Sequence, residues 1–250
     1  MVKIGVIGGS GLDSPDILKE PQLKNVTTKF GAPSSPLVCG TINGVEAVIV
    51  ARHGNEHQFS PTQVNNRANI DALREQGVTH IIATTACGSL RKEIDRGHLV
   101  ILDQFIDFTR FRKNTFFDSF EEGPQHTPMA HPFNQELRLR LFEKAGELKL
   151  AVHPNGCVVT IEGPRFSTVA ESKMFRLWGG DVINMSTAPE AMLANEAGIP
   201  YAAVAMSTDY DCWKEDEQPV TWEEILAVFN ENANNVKHLL IEAIKDFNEE

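Results

Sequence analysis

The order of its segments predicts that this chain folds as an α/β domain, a central sheet with helices on both sides. Apolar runs rich in Val and Ile recur at residues 4–7, 46–51, 80–84, 98–103, 156–161, 182–185 and 202–206. Several lack polar alternation, which suits strands buried on both faces. Between them, helical periodicity occupies 62–76, 134–148, 168–178 and 189–197, and strands alternating with helices build layered α/β sheets. No internal repeat, low-complexity tract or linker interrupts the 250 residues, so 1–250 is read as one domain.

The last helix has the clearest local signals. Thr221 and Glu224 have capping-box spacing, and Ile225, Val228, Phe229, Val236, Leu239, Leu240 and Ile244 fall on one face, a pattern made for packing. Pro189 reads as the first residue of the preceding helix. The polar, Pro-containing stretch 110–132 reads as a long excursion within the domain, and long loops are often functional.

Composition narrows the partners. With 23 basic against 34 acidic residues, a net charge of −11, the chain is not expected to bind nucleic acid or a membrane surface, neither of which attracts an acidic protein. Apolar runs are far shorter than a membrane span and the N-terminus lacks a signal-peptide pattern; a cytoplasmic protein is expected. Cys39, Cys87, Cys157 and Cys212 are scattered, so buried thiols are expected rather than disulfides or a zinc site. Any anionic ligand must then be held by local donors.

Such donors follow the strands. In VKIGVIGGSGLDS, the order Gly5, Gly8, Gly9, Ser10, Gly11 misses the Gly-x-Gly-x-x-Gly spacing of a dinucleotide site. It suits a smaller anion, held by backbone N–H groups and the Ser10 hydroxyl. Arg52 and His53 sit at a strand's carboxyl end, where open α/β sheets bind ligands. His53 and His57 are four apart, but Gly54 and Asn55 between them spoil a helix and no third ligand pattern appears, so metal is set aside. Thr84, Thr85, Ala86 and Gly88 end another strand with further donors, and Ser186 and Thr187 a fourth. Asp209 and Asp211 bracket Tyr210, so that an extended backbone would turn both carboxylates to one side; a turn with two solvated acids reads equally well from this segment alone.

Taken in order, GVIGGSGLD, ARHG, TTACGSL, TIEGPRF, NMSTAPE and STDYDCW closely resemble the methylthioadenosine-cleaving branch of the purine nucleoside phosphorylase family. The resemblance covers almost the whole chain. It implies a mixed central sheet with barrel character and reversible phosphorolysis of 5′-methylthioadenosine to adenine and 5-methylthioribose 1-phosphate, with inorganic phosphate as co-substrate and no cofactor. It also implies a homotrimer, or a hexamer built from trimers. Phosphorolysis of 6-oxopurine nucleosides on the same scaffold, and a non-catalytic nucleoside-binding protein, are the alternatives.

Carried over residue by residue, the family's phosphate site falls on Ser10, Arg52, His53, Thr85, the Ala86 amide and Ser186. Met185 is placed against the ribose, Phe166 beside the purine, and Asp209 and Asp211 as base-recognising and catalytic carboxylates. Ser167 and Trp222 fall where the family tunes its preference around the 5′ group and base, and His126 matches a histidine offered by a neighbouring subunit. These residue types suit the chemistry. Breaking an N-glycosidic bond passes through an oxocarbenium-like sugar, so an anion must be held beneath the anomeric carbon and the departing base neutralised. Phosphate supplies the nucleophile that a glycosidase takes from its own carboxylate. A carboxyl also accepts from a 6-amino group and opposes a 6-oxo group, which favours adenine.

Overall fold

The computed structural model describes residues 2–8, 15–121, 123–214 and 221–248. Its strands are β1 (Lys3–Gly8), β2 (Lys19–Lys24), β3 (Leu37–Ile42), β4 (Val45–Ala51), β5 (His80–Ser89), β6 (Leu99–Ile101), β7 (Gln104–Phe108), β8 (Val152–His153), β9 (Cys157–Ile161), β10 (Val182–Asn184) and β11 (Tyr201–Tyr210). The helices are α1 (Asn66–Glu75), α2 (Gln135–Glu147), α3 (Val169–Leu177), α4 (Thr187–Glu196) and α5 (Trp222–Lys245). Together they make the expected single α/β domain with a mixed central sheet.

Both faces of the sheet's central strands are buried, and the two-residue period of the strands sorts their side chains into two layers. On β11, Ala202, Val204 and Met206 point into one core with Leu137 and Leu141 of α2 and Val236 and Leu240 of α5. Tyr201, Ala203 and Ala205 point into the other, with Ile70 and Leu73 of α1 and Ala191 and Leu193 of α4. Burying a side chain of Leu or Ile size contributes about 1.5–3 kcal/mol, which explains why these runs carry no polar alternation. Helix α3 closes a smaller cluster through Phe175 against Leu90 and Val159.

The sheet runs β2-β3-β4-β1-β5-β10-β9-β7 and branches at β5. One edge of β5 pairs along its length with β11. On the other edge His80–Ala83 pair with β1 and Gly88–Ser89 with β10, so Thr84–Cys87 have no strand partner there among the described residues. This fork sets the position of the site described below.

Several boundaries differ from expectation. The strands expected at 80–84 and 202–206 run on to Ser89 and Tyr210, and the helix expected from 62 starts at Asn66. There Asn65 caps by accepting from the Ala68 amide, while the Thr62 hydroxyl donates to Glu162 (2.8 Å). Pro189 is the third residue of α4, whose N-cap is Ser186. Strands β2, β3, β7 and β8 were not expected. Of the four cysteines, all free, only Cys87 is fully buried. Residues 109–134 hold no helix or strand among those described, as the excursion requires.

Candidate active site

A cavity of about 480 Å³ opens at the fork. Arg52, His53, Thr85, Ala86, Met185, Ser186, Phe166, Ser167, Asp209 and Asp211 all line it. Five segments far apart in the sequence thus meet in one space.

One end is rich in donors. Arg52 follows β4 directly and is only 2% exposed. Its Nε and Nη2 donate to the two carboxylate oxygens of Glu190 on α4 (2.5 and 3.0 Å), and Nη1 donates to the Thr84 carbonyl (2.8 Å). Glu190 is fully buried and also accepts from the Tyr201 hydroxyl at 3.0 Å. Because Thr84 turns its carbonyl to the fork and Cys87 turns its own to the Thr208 hydroxyl on β11 (3.2 Å), strand alternation directs the Ala86 N–H into the gap.

A hydroxyl and amide network fixes the neighbouring side chains. Asn184 Nδ2 donates to Thr85 Oγ1 (3.2 Å) and Thr187 Oγ1 (2.6 Å), and its Oδ1 accepts from Thr160 Oγ1 (2.9 Å). Thr85 and Ser186 hydroxyl oxygens lie 3.2 Å apart. Ser186 makes no side-chain cap bond on α4, so its hydroxyl faces Thr85 at the positive end of that helix.

His53 Nδ1 lies 2.9 Å from the Phe59 carbonyl and donates to it, which leaves Nε2 as the acceptor of the neutral ring. Burial, followed by the Arg52 charge, lowers its pKa from 6.5 to about 4 against the raising effect of the Phe59 carbonyl. The His57 ring stacks on it with centroids 4.6 Å apart.

The other end is acidic. Asp209 lies within β11 and accepts from the Thr208 hydroxyl (2.8 Å); Asp211 lies just past the strand and is buried. A register shift between Ser207 and Asp209 precedes both, and both face the cavity. They are therefore not turn residues in solvent. Gly88 permits the approach, because a Cβ there would come 3.3 Å from Asp209 Oδ2. Burial pushes the Asp211 carboxyl above the usual range, and the Ser172 hydroxyl, the Cys212 amide and the Ser167 hydroxyl oppose that shift. Phe166, 53% exposed, stands at the mouth.

Three expected residues are not placed in the cavity. His126 lies on the excursion, exposed, with its ring 5.4 Å from that of Phe120. Ser10 and the side chain of Trp222 lie outside the described residues, although Ile225, one turn along α5 from Trp222, lines the cavity. Sequence reasoning missed Glu190 and Asn184 as supporting groups. Their signal was faint: both sit in apolar surroundings, where an unpartnered polar side chain is too costly to keep.

Comparison with known proteins gives a consistent picture. The family model described as the Phosphorylase superfamily matches residues 3–245. An S-methyl-5′-thioadenosine phosphorylase of Xenopus tropicalis is 55% identical over 247 residues, covering 97% of this chain and 88% of that protein. One of Drosophila melanogaster is 51% identical, covering 97% and 85%. Among solved structures, the methylthioadenosine phosphorylase of Schistosoma mansoni in complex with adenine superimposes with a TM-score of 0.95 at 41% identity, covering 100% of this chain and 93% of that one.

Proposed function

Since the chain belongs to the phosphorylase superfamily, we propose that its cavity performs the reversible phosphorolysis of 5′-methylthioadenosine, yielding adenine and 5-methylthioribose 1-phosphate. The observation that carries this reading is the meeting, in one cavity at the β5 fork, of a donor-rich end and a carboxylate end. The relatives named above support it. Inorganic phosphate is the co-substrate and the chemistry asks for no cofactor.

In this reading Arg52, the Ala86 amide, Thr85, Ser186 and Ser10 donate to phosphate. Neutral His53 accepts at Nε2 from the hydroxyl of a singly protonated phosphate. A phosphate oxygen then bonds to C1′ as the bond from C1′ to N9 breaks, and the electron pair goes to the base. Met185 lies against the ribose and Phe166 against the purine. The departing adenine is neutralised at N7 by a proton from the Asp209 and Asp211 pair. The resemblance gives N7 to Asp209, while burial inclines Asp211 to keep a proton; a carboxyl group carrying one proton donates to N7 and accepts from the 6-amino group together.

The assembly is proposed to be a homotrimer. Phe166, Val169, Leu177 and Trp178 are exposed in and beside α3, and Phe111 and Phe120 on the excursion; these are the large apolar side chains that such an assembly would cover. His126, beside Phe120, would then serve the 5′ end of a neighbour's substrate. Ser167 and Trp222 are proposed to shape the pocket for the 5′ group and base. A cytoplasmic location is proposed; no described helix is long and apolar enough to cross a membrane.

Comparing kcat/KM for methylthioadenosine, adenosine and inosine at saturating phosphate tests the substrate assignment. The two 6-aminopurine substrates are expected to exceed inosine by about one to two decades, the worth of a misplaced buried polar group. Faster turnover of inosine would instead select the 6-oxopurine alternative.

A further inference from the structure

Arg112 belongs to the excursion and does not line the cavity, yet its side chain is only 1% exposed. Its flanking residues Phe111 and Lys113 are exposed. A guanidinium buried in an otherwise extended, polar loop must be held by several acceptors. The acceptors here come from two other segments. Nε donates to Glu162 Oε1 (2.9 Å), Nη2 to the Glu162 carbonyl (2.6 Å), and Nη1 to the Met185 carbonyl (2.9 Å).

Each of those contacts leads towards the reacting groups. Met185 is the residue proposed to lie against the ribose, and the peptide that Arg112 grips is the one joining it to Ser186 at the phosphate end. Met185 is also held from its side-chain side, since a Cβ at Gly163 would clash with its Sδ. Glu162 is itself a hub. Its Oε2 accepts from the Arg110 and Phe111 amides (2.6 and 3.1 Å) and its Oε1 from the Thr62 hydroxyl. Although burial alone would raise its pKa, the Arg110 amide and the Arg112 guanidinium lead the groups that hold it down to about 2. The Arg112 charge further reaches His53, where it is one of the contributions lowering the imidazole pKa.

We infer that Arg112 is a positioning residue for the phosphorolysis proposed above: it clamps the Met185–Ser186 peptide against Glu162, and so ties the excursion to the phosphate and ribose end of the cavity without touching substrate. Lys cannot replace it there, because a single ammonium does not span three acceptors fixed in a fork. The inference rests on the assigned phosphate site, and its test separates the two.

Phosphate binding, followed by the His53 imidazole resonances, and steady-state kinetics would be measured for the wild type, Arg112→Lys and Glu162→Gln. Arg112→Lys keeps the charge but loses the fork. It is expected to titrate at His53 as the wild type does, to bind phosphate more weakly, and to lose about 10- to 100-fold in kcat/KM, the usual scale for misplacing reacting groups. Glu162→Gln leaves both carbonyl contacts of Arg112 in place and should lose less, in the same direction; it carries the test if Arg112→Lys does not fold. A purely structural role would lower the melting temperature and leave phosphate binding and kcat/KM of the folded protein unchanged, and that result overturns the inference. A wild type that binds no phosphate would overturn the phosphate site, and this inference with it.

Discussion

Arg52 and Glu190 form a fully buried bidentate pair, Nε to Oε1 at 2.5 Å and Nη2 to Oε2 at 3.0 Å, 138 positions apart in sequence. The guanidinium assigned to phosphate is thus not held by its own loop. It is aimed by a carboxylate on α4, the helix whose N-terminus points at the same site.

That pairing alters what truncation of Arg52 should do. Arg52→Ala removes a proposed phosphate donor and strands the Glu190 charge, so it should cost roughly 10²–10³-fold in kcat/KM and also about 3–5 kcal/mol of stability. The double variant Arg52→Met, Glu190→Leu should recover stability in chemical denaturation and stay inactive. Recovery of activity along with stability would show that Arg52 serves packing alone.

The His53 imidazole should titrate near 4 rather than near 6.5. Its neutral form is favoured by the fold, so the stability drawn from it is full above about 6.5 and declines as pH falls towards 4. Glu162, held near 2, acts in the same sense at lower pH, while the raised Asp211 acts in the opposite one. Bound phosphate, an anion beside the ring, should raise the His53 midpoint. An NMR titration with and without phosphate reads both, and a midpoint at 6.5 that ignores phosphate would remove His53 from the site.

Asp209→Asn and Asp211→Asn test base recognition. Each should lower kcat/KM for methylthioadenosine by about one to two decades and raise inosine turnover relative to it in at least one variant, because an amide also donates to O6. Their stabilities should diverge. Burial disfavours the ionised Asp211 carboxyl, so Asp211→Asn should keep or raise the melting temperature at neutral pH. An unchanged ratio of amino- to oxopurine turnover in both variants would detach the carboxylates from the base.

The layers of the fold were legible because burial on both faces writes itself into composition: β4 and β11 read as apolar runs. Strand β2, with all its residues exposed, has no apolar run to read. Its Lys19, Glu20 and Lys24 instead suit an exposed edge guarded by charge. At the site, Arg52, Thr85 and Asp209 were legible since each follows an apolar run with a chemically unusual residue. Glu190, Asn184 and Arg112 were not. Glu190 meets Arg52 across 138 positions, Asn184 meets Thr85 across 99, and Arg112 meets Glu162 and Met185 from a loop whose path no local pattern sets; only the fold brings them together.

In the proposed reaction this cavity uses phosphate, not water, to release adenine from methylthioadenosine. The decisive measurement is adenine release from methylthioadenosine as phosphate is titrated from none to saturation. The rate should rise hyperbolically from near zero, with one phosphate consumed and one 5-methylthioribose 1-phosphate formed per adenine. Release at the same rate without phosphate, or no release at any phosphate concentration, would contradict it.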